Sequence, residues 1–267
     1  MKLNIVTPRT GLAWVKSGCK IFLQQPLALS GLFFMFVALL TLASMLPLIG
    51  AVLALALLPA ATLGLMAASQ EASKGKFPMP MILISAFRAG KQRFKSMAVL
   101  GAIYAAGFLA IIGLTSLIDG GEFAKLYLVG GKITEELVRQ RDFQTAMWAT
   151  LALYLPLSLM FWHAPALVHW QGMPPVKSLF FSFMACYKNF GAMTLFGAAW
   201  LGIFMLIVLV LTLISALLGS PALANIAMLP ISLILLAMFF TSIYFTYQGS
   251  FDQTSGAAEI TKLDQTL

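Results

Sequence analysis

Six apolar runs alternate with short polar stretches along this chain of 267 residues. They cover 26–46, 48–68, 96–118, 145–168, 192–217 and 224–244. Runs of about 20 apolar residues cross the hydrocarbon of a bilayer as helices, because a helix satisfies its own backbone hydrogen bonds where no water can. The pattern therefore predicts six membrane spans. The turns after the first and fifth runs, around Pro47 and Ser220-Pro221, are short enough to force tight hairpins. The connection from 119 to 143 is longer, and "ITEELVRQRD" within it predicts a short surface helix, with acids early and arginines late as the helix dipole prefers. The apolar stretch from Ile21 to Ala68 is too long for the core of a cleavable signal and suits a membrane hairpin.

The stretches before the spans repeat. "PMPMILISAFRAGKQRFKSMAVLGA" (78–102) aligns without gaps on "PPVKSLFFSFMACYKNFGAMTLFGA" (174–198), and Phe87/Phe183, Phe94/Phe190, Gly101/Gly197 and Ala102/Ala198 are among the identities. "PRTGLAWVKSGCKIF" near the N-terminus fits the same frame more weakly, and "HWQG" at 169–172 echoes "TYQG" at 246–249. The expected fold is an all-α polytopic membrane protein. Its six transmembrane helices form three parallel hairpin repeats (about 8–70, 78–170 and 174–249), each preceded by an amphipathic interfacial helix. In the second copy Ile82, Ala86 and Ala89 supply the apolar side of such a helix and Arg88, Lys91, Arg93 and Lys95 the cations. The whole chain reads as one integral membrane domain with a polar cytoplasmic tail over 250–267.

Composition agrees with a bilayer as the solvent. The chain is 60% hydrophobic and 10% charged, with a mean hydropathy of +0.92. A soluble domain carries about 25% charged residues. The net charge of +8 lies between the apolar runs, so it reports orientation and anionic headgroups and gives no reason to expect nucleic acid. Of the 17 Lys and Arg residues, Lys125, Lys132, Arg139 and Arg141 fall in the 119–143 connection, and the other 13 fall on the opposite side. The positive-inside rule then places both termini in the cytoplasm. Lys16, Lys20, Arg88, Lys91, Arg93, Lys95, Lys177 and Lys188 are the expected contacts to anionic lipid of the inner leaflet.

Candidate chemistry is sparse. No Asp, Glu, Lys or Arg falls inside the six apolar runs, whereas ion-coupled transporters and proton pumps place such groups at membrane depth. Both histidines, His163 and His169, lie in "FWHAPALVHWQG" (161–172). Six residues apart, they sit about 120° apart around a helix and cannot chelate one metal together. Pro165 between them predicts a kink. Trp162, His163, His169 and Trp170 then read as an interfacial aromatic belt at the inner face, with Pro165 part of the same candidate interface. Cys19 and Cys186 fall on the cytoplasmic side, where thiols stay reduced, and show no zinc spacing. No nucleophile elbow, P-loop or dinucleotide fingerprint is present, so neither an enzyme nor a resident metal or cofactor is expected.

Three stretches carry a resemblance: "GLAWVKSGCKIFLQQPLALSG", "FWHAPALVHWQGMPPVKSLFFSF" and "SIYFTYQGSF". Through them the chain resembles an uncharacterised family of six-span inner-membrane proteins of Gram-negative bacteria. In similar proteins the slot of His163 is aromatic or apolar, so the resemblance implies no ligand role for that residue. More distantly, the layout is similar to the membrane domains fused to some glycerophosphodiester phosphodiesterases. The hydrolase part has no counterpart among these residues, so the resemblance implies fold and location and no activity. The expected function is that of a non-enzymatic inner-membrane protein, associating with lipid or acting as an accessory subunit of a membrane complex. The alternative is a permease or channel for a small solute or amphiphile, with Pro59, Pro156 and Pro165 interrupting spans to open a cavity.

Overall fold

A computed structural model of the chain describes residues 3–128, 130, 133–219 and 221–251. Of the tail expected over 250–267, everything beyond Phe251 lies outside the described residues. Twelve α-helices follow in order: α1 (Thr10–Gln24), α2 (Pro26–Ser44), α3 (Gly50–Ser73), α4 (Ser85–Arg88), α5 (Lys91–Asp119), α6 (Glu122–Leu128), α7 (Glu135–Arg139), α8 (Arg141–Trp162), α9 (Ala164–Gln171), α10 (Pro175–Lys188), α11 (Phe190–Leu217) and α12 (Pro221–Phe251). A short 3-10 helix, Pro80–Ile84, precedes α4. No strand occurs among the described residues.

Among the described residues six helical stretches are long and apolar enough to cross a membrane: α2, α3, α5, α8 with α9, α11, and Ile226–Phe251 of α12. They are the six expected. Several overrun their apolar runs, as where α5 begins at Lys91 and α12 continues to Phe251. Hydropathy marks only the part of a helix that sits in hydrocarbon, and the hydrogen-bond ladder continues past it. Only 11% of the apolar window of α11 is buried, so most of its large side chains face lipid.

The chain gathers into two compact units. The first draws on Met1–Phe36, Thr62–Ser85 and Met184–Leu267. In it α1 packs on α11 and α12 through a stripe at helical spacing, Gly11, Trp14, Val15, Gly18 and Phe22. Two glycines permit this approach. A Cβ on Gly11 would collide with the Ala192 carbonyl oxygen, and one on Gly18 with Ser242. The apolar face expected to rest among acyl chains thus rests largely on protein, while Lys16 and Lys20 remain exposed. Around this seam Trp14 meets Phe196 edge-on, and Trp200 Nε1–H donates to Ser242 Oγ at 3.1 Å.

The second unit draws on Val37–Ala61 and Ala86–Phe183. Its centre is the packing of α5 against α8 and α9. At the far end of α5 from Lys91, Asp119 caps α6 by accepting from the Gly121 and Phe123 N–H groups, at 2.9 and 2.7 Å. Ile112, Phe123, Phe143 and Ala146 form a small core beneath α6 and α7.

The expected helix joining Ile82, Ala86 and Ala89 to Lys95 is not continuous. A 3-10 turn and the single turn of α4 end at Gly90, whose φ of +97° no helix accommodates. Lys91, Arg93 and Lys95 therefore belong to the first turns of the spanning helix α5. The aligned segment 174–198 behaves differently, since α10 runs unbroken to Lys188 and the chain turns at Asn189.

Candidate functional site

All eight cations expected to meet lipid headgroups are exposed. Lys16 and Lys20 lie on the outward side of α1, Arg88 ends α4, and Lys91, Arg93 and Lys95 open α5. Lys177 stands in the first turn of α10, its Nζ 5.9 Å from the centre of the Phe181 ring, and Lys188 ends that helix. None forms an ion pair among the described residues, where the pairs are Lys125–Glu122 and Arg139–Glu135 in the 119–143 connection. Three cations at the start of α5 oppose its dipole, whose N-terminal end is itself positive.

The stretch 161–172 is a helix break. Pro165 has no N–H to donate and its ring crowds the carbonyl four residues back. The chain leaves α8 at Trp162, turns at His163 (φ −112°, ψ −11°) and resumes as α9. In an unbroken helix the His163 N–H would donate to the Leu159 carbonyl. Here the hydroxyl of Ser182, from α10, stands between them. Ser182 Oγ accepts from His163 N–H at 2.9 Å and donates to Leu159 O at 2.8 Å.

The belt reading therefore needs correcting at one residue. His163 is 0% exposed and packs inside the second unit, because the break turns it inward behind α10. Pro165 is likewise buried, whereas Trp162, His169 and Trp170 are half-buried. The rings of His169 and Trp170 meet edge-on at 6.2 Å. Among the described residues no three His, Cys, Asp or Glu side chains gather where an ion could be held.

Sequence reasoning passed over three polar groupings. Tyr104 and Tyr154 share a hydroxyl–hydroxyl bond of 3.0 Å between α5 and α8. Further along the same pair of helices, Thr150 Oγ1 donates to Thr115 Oγ1 at 3.1 Å. In the first unit Asn189 precedes α11, and its side chain, instead of capping that helix, ties down the N-terminal segment. Its Oδ1 accepts from the Val6 N–H at 2.9 Å, and its Nδ2 donates to the Asn4 carbonyl at 2.9 Å. Tyr and Thr inside an apolar run were the available signal for the first two; for Asn189 no local pattern announces a partner so far away in the chain. Cys186 is buried, which pushes its thiol up to about 12, and partial burial also raises that of Cys19. No disulfide joins the two cysteines.

No family model matches the chain, and no solved structure matches it. It is 36% identical over 264 residues to a probable inner membrane protein of Burkholderia thailandensis, covering 97% of this chain and 98% of that one. Six apolar helices and near full-length similarity lead to one conclusion: the chain belongs to the family of that inner membrane protein and is itself a multi-pass integral protein of the inner membrane.

Proposed function

We propose that the protein is a non-enzymatic membrane module whose exposed cations hold anionic lipid headgroups, associating with lipid or serving as an accessory subunit of a membrane complex. One observation carries the reading: eight exposed cations stand along the outward side of α1, at the end of α4, at the start of α5 and near the two ends of α10, without an acidic partner among the described residues. Anionic headgroups supply the missing charge, at about 1 kcal/mol per cation near the surface. The positive-inside rule makes these cations cytoplasmic, with both termini on that side. Three parallel units, each a short pre-span segment followed by two spans, account for their recurrence, and α1 and α10 are the clearest examples of such segments.

A permease for a polar solute would call for free hydroxyls along a cavity at membrane depth. The Thr and Tyr hydroxyls between α5 and α8 are bonded to one another, which favours the module reading. The test is co-purification in mild detergent from membranes of mixed lipid content. Anionic phospholipid should be enriched over the membrane average and fall towards that average in a Lys91→Gln, Arg93→Gln, Lys95→Gln variant. Equal lipid content in the two proteins would overturn the reading.

A further inference from the structure

Two grooves lie end to end on the second unit. The one at membrane depth has a volume of about 410 Å³ and is walled by Phe108, Met147, Trp148, Thr150, Leu151 and Tyr154. The other, about 360 Å³, lies under α6 and α7 against Leu126, Ile133, Val138 and Phe143. Phe123 and Met147 line both. Together they make one track from the cap at the far end of α5 down toward the Tyr104–Tyr154 pair.

The hydroxyls on this track and the Gln144 amide N–H are already engaged. Thr150 donates to Thr115, which bonds the carbonyls of Ile111 and Ile112. Tyr154 is held by Tyr104, and the Gln144 side-chain amide donates to the Val138 carbonyl. A polar solute entering would lose water and find little to replace it, at a cost of several kcal/mol per unpaired group. A hydrocarbon chain loses nothing. The deeper groove also opens onto the lipid-facing side of α8, where Trp148 and Leu151 are 62% and 56% exposed, so it is continuous with the bilayer. The shallower groove lies against α6 and α7, which carry the exposed pairs Lys125–Glu122 and Arg139–Glu135.

We infer that this track is a lipid-binding site that holds one acyl chain of a bilayer phospholipid, its headgroup beside α6–α7 and its tail running down past Met147 to Tyr154. The site lies at the opposite end of α5 from the cations and does not depend on the headgroup reading. Native mass spectrometry of the full chain, released from membranes in mild detergent and then delipidated stepwise, tests it. The expected result is one phospholipid that outlasts the others. Met147→Trp narrows the passage and Leu151→Trp fills the groove from its exposed wall without touching the core; each should reduce that occupancy by roughly tenfold, equivalent to about 1.4 kcal/mol. Leu201→Trp, on the lipid-facing side of α11, should leave it unchanged. Should Met147→Trp fail to fold, Leu151→Trp decides alone. No persistent lipid, a persistent molecule that is not a phospholipid, or occupancy undiminished by the substitutions would overturn the inference.

Discussion

The Ser182 hydroxyl occupies the place of a helical hydrogen bond, standing between the His163 N–H and the carbonyl of Leu159. It closes the gap that Pro165 opens, and it fastens α10 to the junction of α8 and α9. Ser182 is buried, so its loss would leave a donor and an acceptor facing each other across an empty site. Ser182→Ala should cost about 1–3 kcal/mol, read from the midpoint of unfolding in mixed detergent. Pro165→Ala restores the missing N–H and removes the ring clash, letting the chain approach a continuous helix. The double variant should therefore lose less than the two single losses combined. Strict additivity would show that the hydroxyl and the proline act separately.

His163 itself should behave as a packing residue. It is fully buried at the break, so His163→Ala leaves a cavity and should destabilise by about 2–5 kcal/mol. His169→Ala, at a half-buried position, should cost much less. Thermal unfolding of the two variants in the same detergent checks the order.

Two glycines that align in sequence should respond in opposite directions. A Cβ on Gly101 would collide with the Ala56 carbonyl oxygen, whereas nothing lies within 4 Å of one on Gly197. Gly101→Ala should cost about 1–3 kcal/mol through overpacking. Gly197→Ala should be neutral or stabilising by about 0.5–1 kcal/mol, since alanine is the better helix former. Similar losses at both positions would mean that the two aligned segments pack alike after all.

That contrast shows which parts of the structure the sequence exposes. The six spans were legible because each is a continuous run whose apolarity answers to the bilayer, a constraint that acts on every residue of the run. The helix break at 163 was legible from Pro165, a residue with a local backbone consequence. The broken segment before α5 was not, because Ile82, Ala86 and Ala89 keep helical spacing while Gly90 adopts a φ that only its tertiary setting selects. The exposure of the eight cations was readable from charge alone. The inward turn of His163 was not, since it depends on Ser182, which becomes its neighbour only when α10 folds back. Likewise Asn189 ends as the anchor of Asn4 and Val6, a long-range pairing without a local signature.

The two thiols should separate by reactivity and by pH. Cys186 is 1% exposed and its thiol is held up at about 12, while Cys19 is half-buried and raised by the same cause to a lesser burial. The thiolate is the reacting form, so a maleimide at neutral pH should label Cys19 slowly and Cys186 only after denaturation. Stability follows from the same shift. Below about pH 9, the ordinary value, Cys186 keeps its proton in both states and adds no pH dependence. Between about 9 and 12 the unfolded chain releases that proton and the folded one retains it, so stability is lost as the pH rises. Cys186→Ala removes this component. The stability of the wild type relative to Cys186→Ala should be flat below pH 9 and decline above it, as measured by detergent unfolding across the range. A difference that stays level through pH 11 would place the thiol in contact with water.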